Sequence, residues 1–190
     1  MRKRSLIVFL VVGLLLVGCN DPEDTTIDED NEPQLAHASR STYTLEQTAK
    51  EADIIANVTI TDTLDLFLHE SDIEYTLYQA NVNHYFYDEL GYGHEITILK
   101  AGGPNWQFAD DPLLEIDETY IVFLDERDSE YGKNLIITGG PQGRYYQKGD
   151  QFVRALNLDE FELSELTERE LIEAINERSD TIEVDLSILD

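Results

Sequence analysis

The chain has 190 residues, 40 of them Asp or Glu against 13 Lys or Arg, for a formal net charge of −27. That balance argues against nucleic acid as a partner, since binding there rests on cations that neutralise phosphates. It argues equally against an anionic lipid surface held by protein charge alone. At 42% hydrophobic and 28% charged, the composition suits one globular domain, and the single Cys rules out an internal disulfide or a multi-cysteine metal cluster.

Arg2, Lys3 and Arg4 precede an apolar run from Leu6 to Val17, broken only by Gly13 and too short for a mature membrane span. The run ends Leu16-Val17-Gly18-Cys19, which resembles the lipobox of bacterial lipoproteins. In that family the Cys thiol is acylated with diacylglycerol and the peptide before it is removed. The resemblance therefore implies a signal peptide over 1–18, lipid attachment (palmitate-type acyl chains) at Cys19, and a protein anchored on the extracellular face of the cell membrane. Two acyl chains hold stably where one is marginal.

Asn20 to Ser39 carries seven acids together with Pro22 and Pro33, and it has little apolar content. Such a segment cannot bury enough surface to fold, so residues 19–41 are expected to form an acidic, disordered tether. Asp28-Glu29-Asp30-Asn31-Glu32 is not a calcium loop, because Pro33 stands where an EF-hand needs Gly.

Thr44-Leu45-Glu46-Gln47 is a capping-box pattern and predicts a helix over Leu45 to Asp53. From Ile54 the period changes to two, predicting a strand with Ile54, Ala56, Val58 and Ile60 on one face. Glu74 to Tyr87 predicts a long strand whose buried side holds Thr76, Tyr78, Ala80, Val82 and Phe86. Further strands are expected at 95–99, 119–124, 134–138, 144–148 and 151–156, the last two joined by the turn Gly149-Asp150. Thr167-Glu168-Arg169-Glu170 opens a second helix, ending near Arg178, with Leu171, Ile172 and Ile175 as its apolar stripe. The final alternation of Ile182, Val184, Leu186 and Ile188 fits an edge strand or a docking segment. The expected fold is thus mainly β: a small closed barrel over 42–160, opened by a short helix and followed over 161–190 by a helix and tail.

The order Leu45-Glu46 to Ala52-Asp53, Tyr75 to Tyr78, Ile96 to Gly103, Tyr120 to Leu124 and Gly139 to Tyr145 resembles a group of secreted and lipid-anchored proteins of Gram-positive bacteria. Most of that group is uncharacterised. The resemblance implies an OB-like barrel of the sort also seen in tissue inhibitors of metalloproteinases. This chain differs in the longer, acidic loop Asp88 to His94.

No Gly-x-Ser-x-Gly elbow, phosphate-cradling Gly loop or His-Glu-x-x-His helix occurs. Neither a catalytic set nor a cofactor is therefore expected. His84 and His94 flank the Asp88–Gly93 loop, and with Asp88 or Glu89 between them they are a conceivable two-His, one-carboxylate metal site. Strands run twice into Gly-Gly-Pro and an amide, at Gly102-Gly103-Pro104-Asn105 and Gly139-Gly140-Pro141-Gln142. These are either sharp exits at barrel corners or one binding rim, with Trp106, Tyr145 and Tyr146 as aromatic contacts. Three functions stay open: a non-catalytic surface module for an unidentified protein or small ligand, an inhibitor that masks a basic enzyme cleft, and a metal-dependent surface hydrolase. The first is the expected one.

Overall fold

The computed structural model describes residues 33–39, 41–156, 165–178 and 189, all within the unit Glu32–Asp190. The signal peptide, Cys19, most of the tether and the alternating segment 182–188 lie outside the described residues.

The first capping box closes on both sides. Gln47 N–H donates to Thr44 Oγ1 at 3.2 Å, and Thr44 N–H donates to Gln47 Oε1 at 3.1 Å. Helix α1 (Leu45–Glu51) follows, burying Leu45, Thr48 and Ala49. One segment before it departs from expectation. Gln34–Ala36, read above as tether, is strand β1 and pairs in parallel with β5 (Trp106–Phe108), Leu35 standing opposite Gln107. The tripeptide Gln34-Leu35-Ala36 carries no charge, and the run of acids in the sequence before it ends at Glu32.

Strands β2 (Ile54–Leu68) and β3 (Glu74–Asp88) form a hairpin of two 15-residue arms. Strand β3 also pairs with β4 (Glu95–Ala101), and β2 pairs with β6 (Thr119–Ser129). The other edge of β6 takes β7 (Gly132–Ile137) in its second half and β8 (Arg144–Lys148) in its first. Strand β7 lies parallel to β4, Ile98 opposite Leu135. The circuit β2-β3-β4-β7-β6 therefore closes into a five-stranded OB-like barrel. Outside it β8 pairs with β9 (Gln151–Arg154), and β9 with β10 (Glu165–Leu166). The turn Gly149-Asp150 joins β8 to β9, with Gly149 at φ 68° as such a turn requires.

Two apolar layers follow from the strand alternation. Ile54, Ala56, Val58 and Ile60 fill the barrel together with Tyr78, Ala80, Ile96, Ile98, Val122, Leu124 and Leu135. Ile55, Ile121, Phe123 and Tyr145 point outward, where α1 and α2 (Glu168–Arg178) cover them with Leu45, Ala49, Leu171, Ile172 and Ile175. Each of those fully buried Leu or Ile side chains contributes about 1.5–3 kcal/mol.

Phe86 corrects the face assigned to it. Asn57 stands opposite His84 but Val58 opposite Val82, so Asn83 is an extra residue in β3. That bulge reverses the alternation beyond it. Tyr85 then faces the barrel, while Phe86 joins the helix-covered layer. Asn83 Nδ2 secures the bulge by donating to Asn57 Oδ1 at 2.8 Å and Thr59 Oγ1 at 3.1 Å.

The same bulge brings His84 under α2. Its Nε2 lies 2.9 Å from Glu168 Oε1, to which Asn57 Nδ2 also donates. Burial raises the Glu168 carboxyl, but the hydrogen bonds from His84 and Asn57 outweigh it and leave the pKa below the usual carboxylate value. A carboxyl held low when folded stabilises the fold above its unfolded pKa, and that contribution disappears as pH falls through the lowered value. Glu168→Gln should accordingly lower the melting temperature at neutral pH, with the gap from the parent protein closing as pH falls from the ordinary carboxylate pKa through the lowered one. Melting curves across that range check it, and a gap that persists unchanged at acid pH would refute the assignment.

Candidate functional site: one end of the barrel

The two Gly-Gly-Pro loops leave the barrel at the same end. Strands β4 and β7 are parallel, and each glycine pair begins four residues beyond the register pair Ile98–Leu135. Gly102, Gly103 and Trp106 are thereby brought to the end that also holds Gly139 and Gly140. A cavity of about 180 Å³ there is lined by Ala101, Phe108, Ile137 and Gly140 among others.

The first loop is bound to β3 rather than free. Glu74, 7% exposed, accepts from Asn105 N at 2.9 Å, Asn105 Nδ2 at 2.8 Å and Trp106 N at 3.1 Å. Gly103 has no room for a side chain, because a Cβ there would come within 3.0 Å of Glu74 and Leu66.

The second loop is an excursion from a single line of pairing. Thr138 N–H donates to Phe123 O at 2.9 Å, and Arg144 stands opposite Val122, the next residue along β6. Residues 139–143 are thus looped out between consecutive register positions, beginning at Gly139 with φ 68° and turning through a 3-10 segment, Gly140–Gly143. The amide of Gln142 fastens the entrance to α1. It accepts from Tyr43 N at 2.7 Å and donates to Ser41 O at 2.9 Å. In both loops the amide therefore has a structural task.

Tyr145 is a correction. At 1% exposure it packs on Phe123, with ring centroids 6.3 Å apart, under the helices, and it cannot contact a ligand at the rim. The period of two along β8 explains this, since Arg144 and Tyr146 share the face opposite to Tyr145. Tyr146 is 39% exposed.

Arg144 and Tyr146 line a second cavity, of about 450 Å³, which the sequence did not single out. One wall is the strand face bearing Arg144, Tyr146 and Tyr120, where Tyr120 and Tyr146 are cross-strand partners. The other is an arch crossing the barrel end, Pro112, Leu113 and Glu115, with Glu118 closing it and Leu114 buried in the barrel behind. The arch is tied down at both ends. Asp117 N donates to Ile60 O at 2.8 Å, and Arg144 Nη2 donates to Pro112 O at 2.6 Å.

Behind the arch lies a buried ionic cluster. Asp111 Oδ1 sits 2.7 Å from Lys100 Nζ and 3.2 Å from Arg144 Nη2, all three side chains less than 10% exposed. Burial pushes the Tyr120 phenol up, while a hydrogen bond from Glu115 N–H and the Arg144 guanidinium pull it down. Tyr78 behaves similarly, raised chiefly by burial.

The two-His, one-carboxylate site at His84 and His94 is not formed among the described residues. His84 faces Glu168, and the His94 carbonyl accepts from Val82 N–H at 2.8 Å in the β3–β4 ladder. Among the described residues no group of three or more His, Cys, Asp or Glu side chains is placed to hold a metal ion.

Arg144 and the arch escaped the sequence reading because their partners are distant in the chain. The usable signal was the period-two pairing of Arg144 with Tyr146, which puts a guanidinium on the same inward face as a tyrosine. No protein-family model matches the chain, and no curated protein matches it in sequence.

Proposed function

We propose that this chain is a cell-surface lipoprotein whose OB-like domain is a non-catalytic binding module. The observation that carries the binding part is the 450 Å³ cleft between the arch and the face bearing Tyr120 and Tyr146, a volume within the range of small-ligand sites. Rigid walls support it, since one is barrel strand and the other is tied by Arg144 and Asp117. The non-catalytic part is supported by the titratable groups with a visible task. His84 bonds to Glu168, Asp111 to Lys100 and Arg144, and Glu74 to a backbone turn. The anchoring part rests on Leu16-Val17-Gly18-Cys19 after a basic and apolar leader.

Mass spectrometry of membranes should find an N-terminal peptide that begins at Cys19 and carries lipid, and Cys19→Ala should move the protein out of the detergent phase. A Cys19→Ala protein that stays membrane-bound at its unprocessed mass would refute the anchor.

A second reading, masking of a basic extracellular enzyme, is favoured by the distal part of β2. Leu64, Leu66 and Leu68 are 47%, 44% and 66% exposed there, interspersed with Asp62 and Asp65. An apolar strip edged with acid suits a basic protein surface.

A further inference from the structure

We infer that the cleft beneath the arch is a site for an organic cation, the ammonium or guanidinium of a basic side chain or of a free amine. The inference rests on the binding-module reading and names the ligand class for that same cleft.

Three properties of the lining point this way. The first is charge. Arg144 is held on the Pro112 carbonyl and on the Asp111 carboxylate, which it shares with Lys100. Glu115 and Glu118 stand at the opening, both exposed, and neither takes part in an ion pair among the described residues. Burial, and to a lesser degree both carboxylates, raise the Tyr120 phenol, while the Glu115 N–H and Arg144 lower it.

The second property is the aromatic wall. Tyr120 and Tyr146 are paired across β6 and β8 on one face. Tyrosine rings attract a cation through the negative face of the π-system, and more strongly where water is excluded. Pro112 and Leu113 supply an apolar surface for the methylene stem behind such a cation.

The third is the long-range field. At −27 the chain repels anions and draws cations toward any acid-lined opening, an effect that falls as salt rises. A neutral ligand would use the walls without engaging either carboxylate. An anion would meet them directly.

The test uses the full-length protein in detergent micelles, with its tyrosine rings isotope-labelled for NMR. The probes are the blocked tripeptides acetyl-Gly-Arg-Gly-amide and acetyl-Gly-Lys-Gly-amide, their neutral counterpart acetyl-Gly-Gln-Gly-amide, and spermidine. The cationic probes should shift the Tyr120 and Tyr146 resonances and bind about tenfold more tightly than the neutral peptide, weakening with added NaCl. The double variant Glu115→Gln, Glu118→Gln alters exposed side chains only and should melt with the parent while losing about tenfold in affinity for the cations. Tyr146→Ala should lose about threefold. Tighter binding of the peptides than of spermidine identifies a partner's side chain as the occupant, and the reverse order a free amine; either supports the site.

Equal binding of the neutral and cationic peptides would overturn the inference. So would undiminished affinity in the double variant, or no shift at either tyrosine. These failures differ from failure of the underlying reading: chemical conversion of a bound probe would defeat the non-catalytic assignment while leaving a cation site in place.

Discussion

Gly143→Ala is expected to unfold the protein or to cost it about 3 kcal/mol or more, lowering the melting temperature by roughly 6–12 °C. Gly143 closes the excursion that leaves β6 after Thr138 and returns at Arg144. The chain comes back so tightly that a Cβ on Gly143 would fall well inside 3.0 Å of the Thr138 carbonyl oxygen. That obstacle is backbone in register with Phe123, so it cannot swing aside as a side chain would. Any relief must shift β7 or β8 against β6, and with them the arch that Arg144 ties. Gly93→Ala is the matched control. A methyl there meets nothing within 4 Å, so its effect should stay within about 0.5 kcal/mol. Thermal unfolding followed by circular dichroism compares the two, and equal melting temperatures would show that the looped-out geometry is wrong.

Asp111→Ala should be comparably severe. Its carboxylate is the ionic partner of both Lys100 and Arg144, which are 5% and 2% exposed. Removing one member of a buried ionic cluster leaves charge behind in a low-dielectric site, at a cost of about 3–5 kcal/mol. Urea unfolding should show a lower midpoint with an unchanged slope, because the surface exposed on unfolding is the same. A loss below about 1 kcal/mol would mean that water reaches the cluster and that the arch does not seal the barrel end.

Much of the architecture could be read from local pattern. Both capping boxes form, because each requires only residues three apart. Thr167 N–H donates to Glu170 Oε2 at 2.8 Å, and Glu170 N–H to Thr167 Oγ1 at 3.3 Å. The period-two runs at Ile54 and Tyr120 became barrel strands for the same reason. Patterning failed where a single residue changed the phase. Asn83 is an ordinary polar residue in an alternating run, and only its pairing across to Asn57 and Thr59 reveals it as a bulge. Phe86 was misplaced on that account. Strand β1 was missed because three residues carry too little pattern to stand against an acidic neighbourhood.

The barrel end that carries the two Gly-Gly-Pro loops was legible only in part. The echo of two Gly-Gly-Pro segments did mark one end of the barrel, since parallel strands carry equal exits to equal places. It did not disclose that Asn105 and Gln142 work as fasteners, nor that the larger opening lies beside the second loop, under the arch. Those facts depend on Glu74, Ser41 and Pro112, each about 30 to 100 residues away in sequence, where no local periodicity reaches.

The hold of Gln142 on Ser41 and Tyr43 also sets an order of events during folding. Those bonds span 101 and 99 positions, so the segment leading into α1 cannot be fastened until the chain has been made to Gln142, about three quarters of its length. Ring closures of that reach are slow, because their entropy is lost before any contact compensates it. The entrance to α1, near the start of the described residues, is thus fastened only after the barrel strands β2 to β7 have been made.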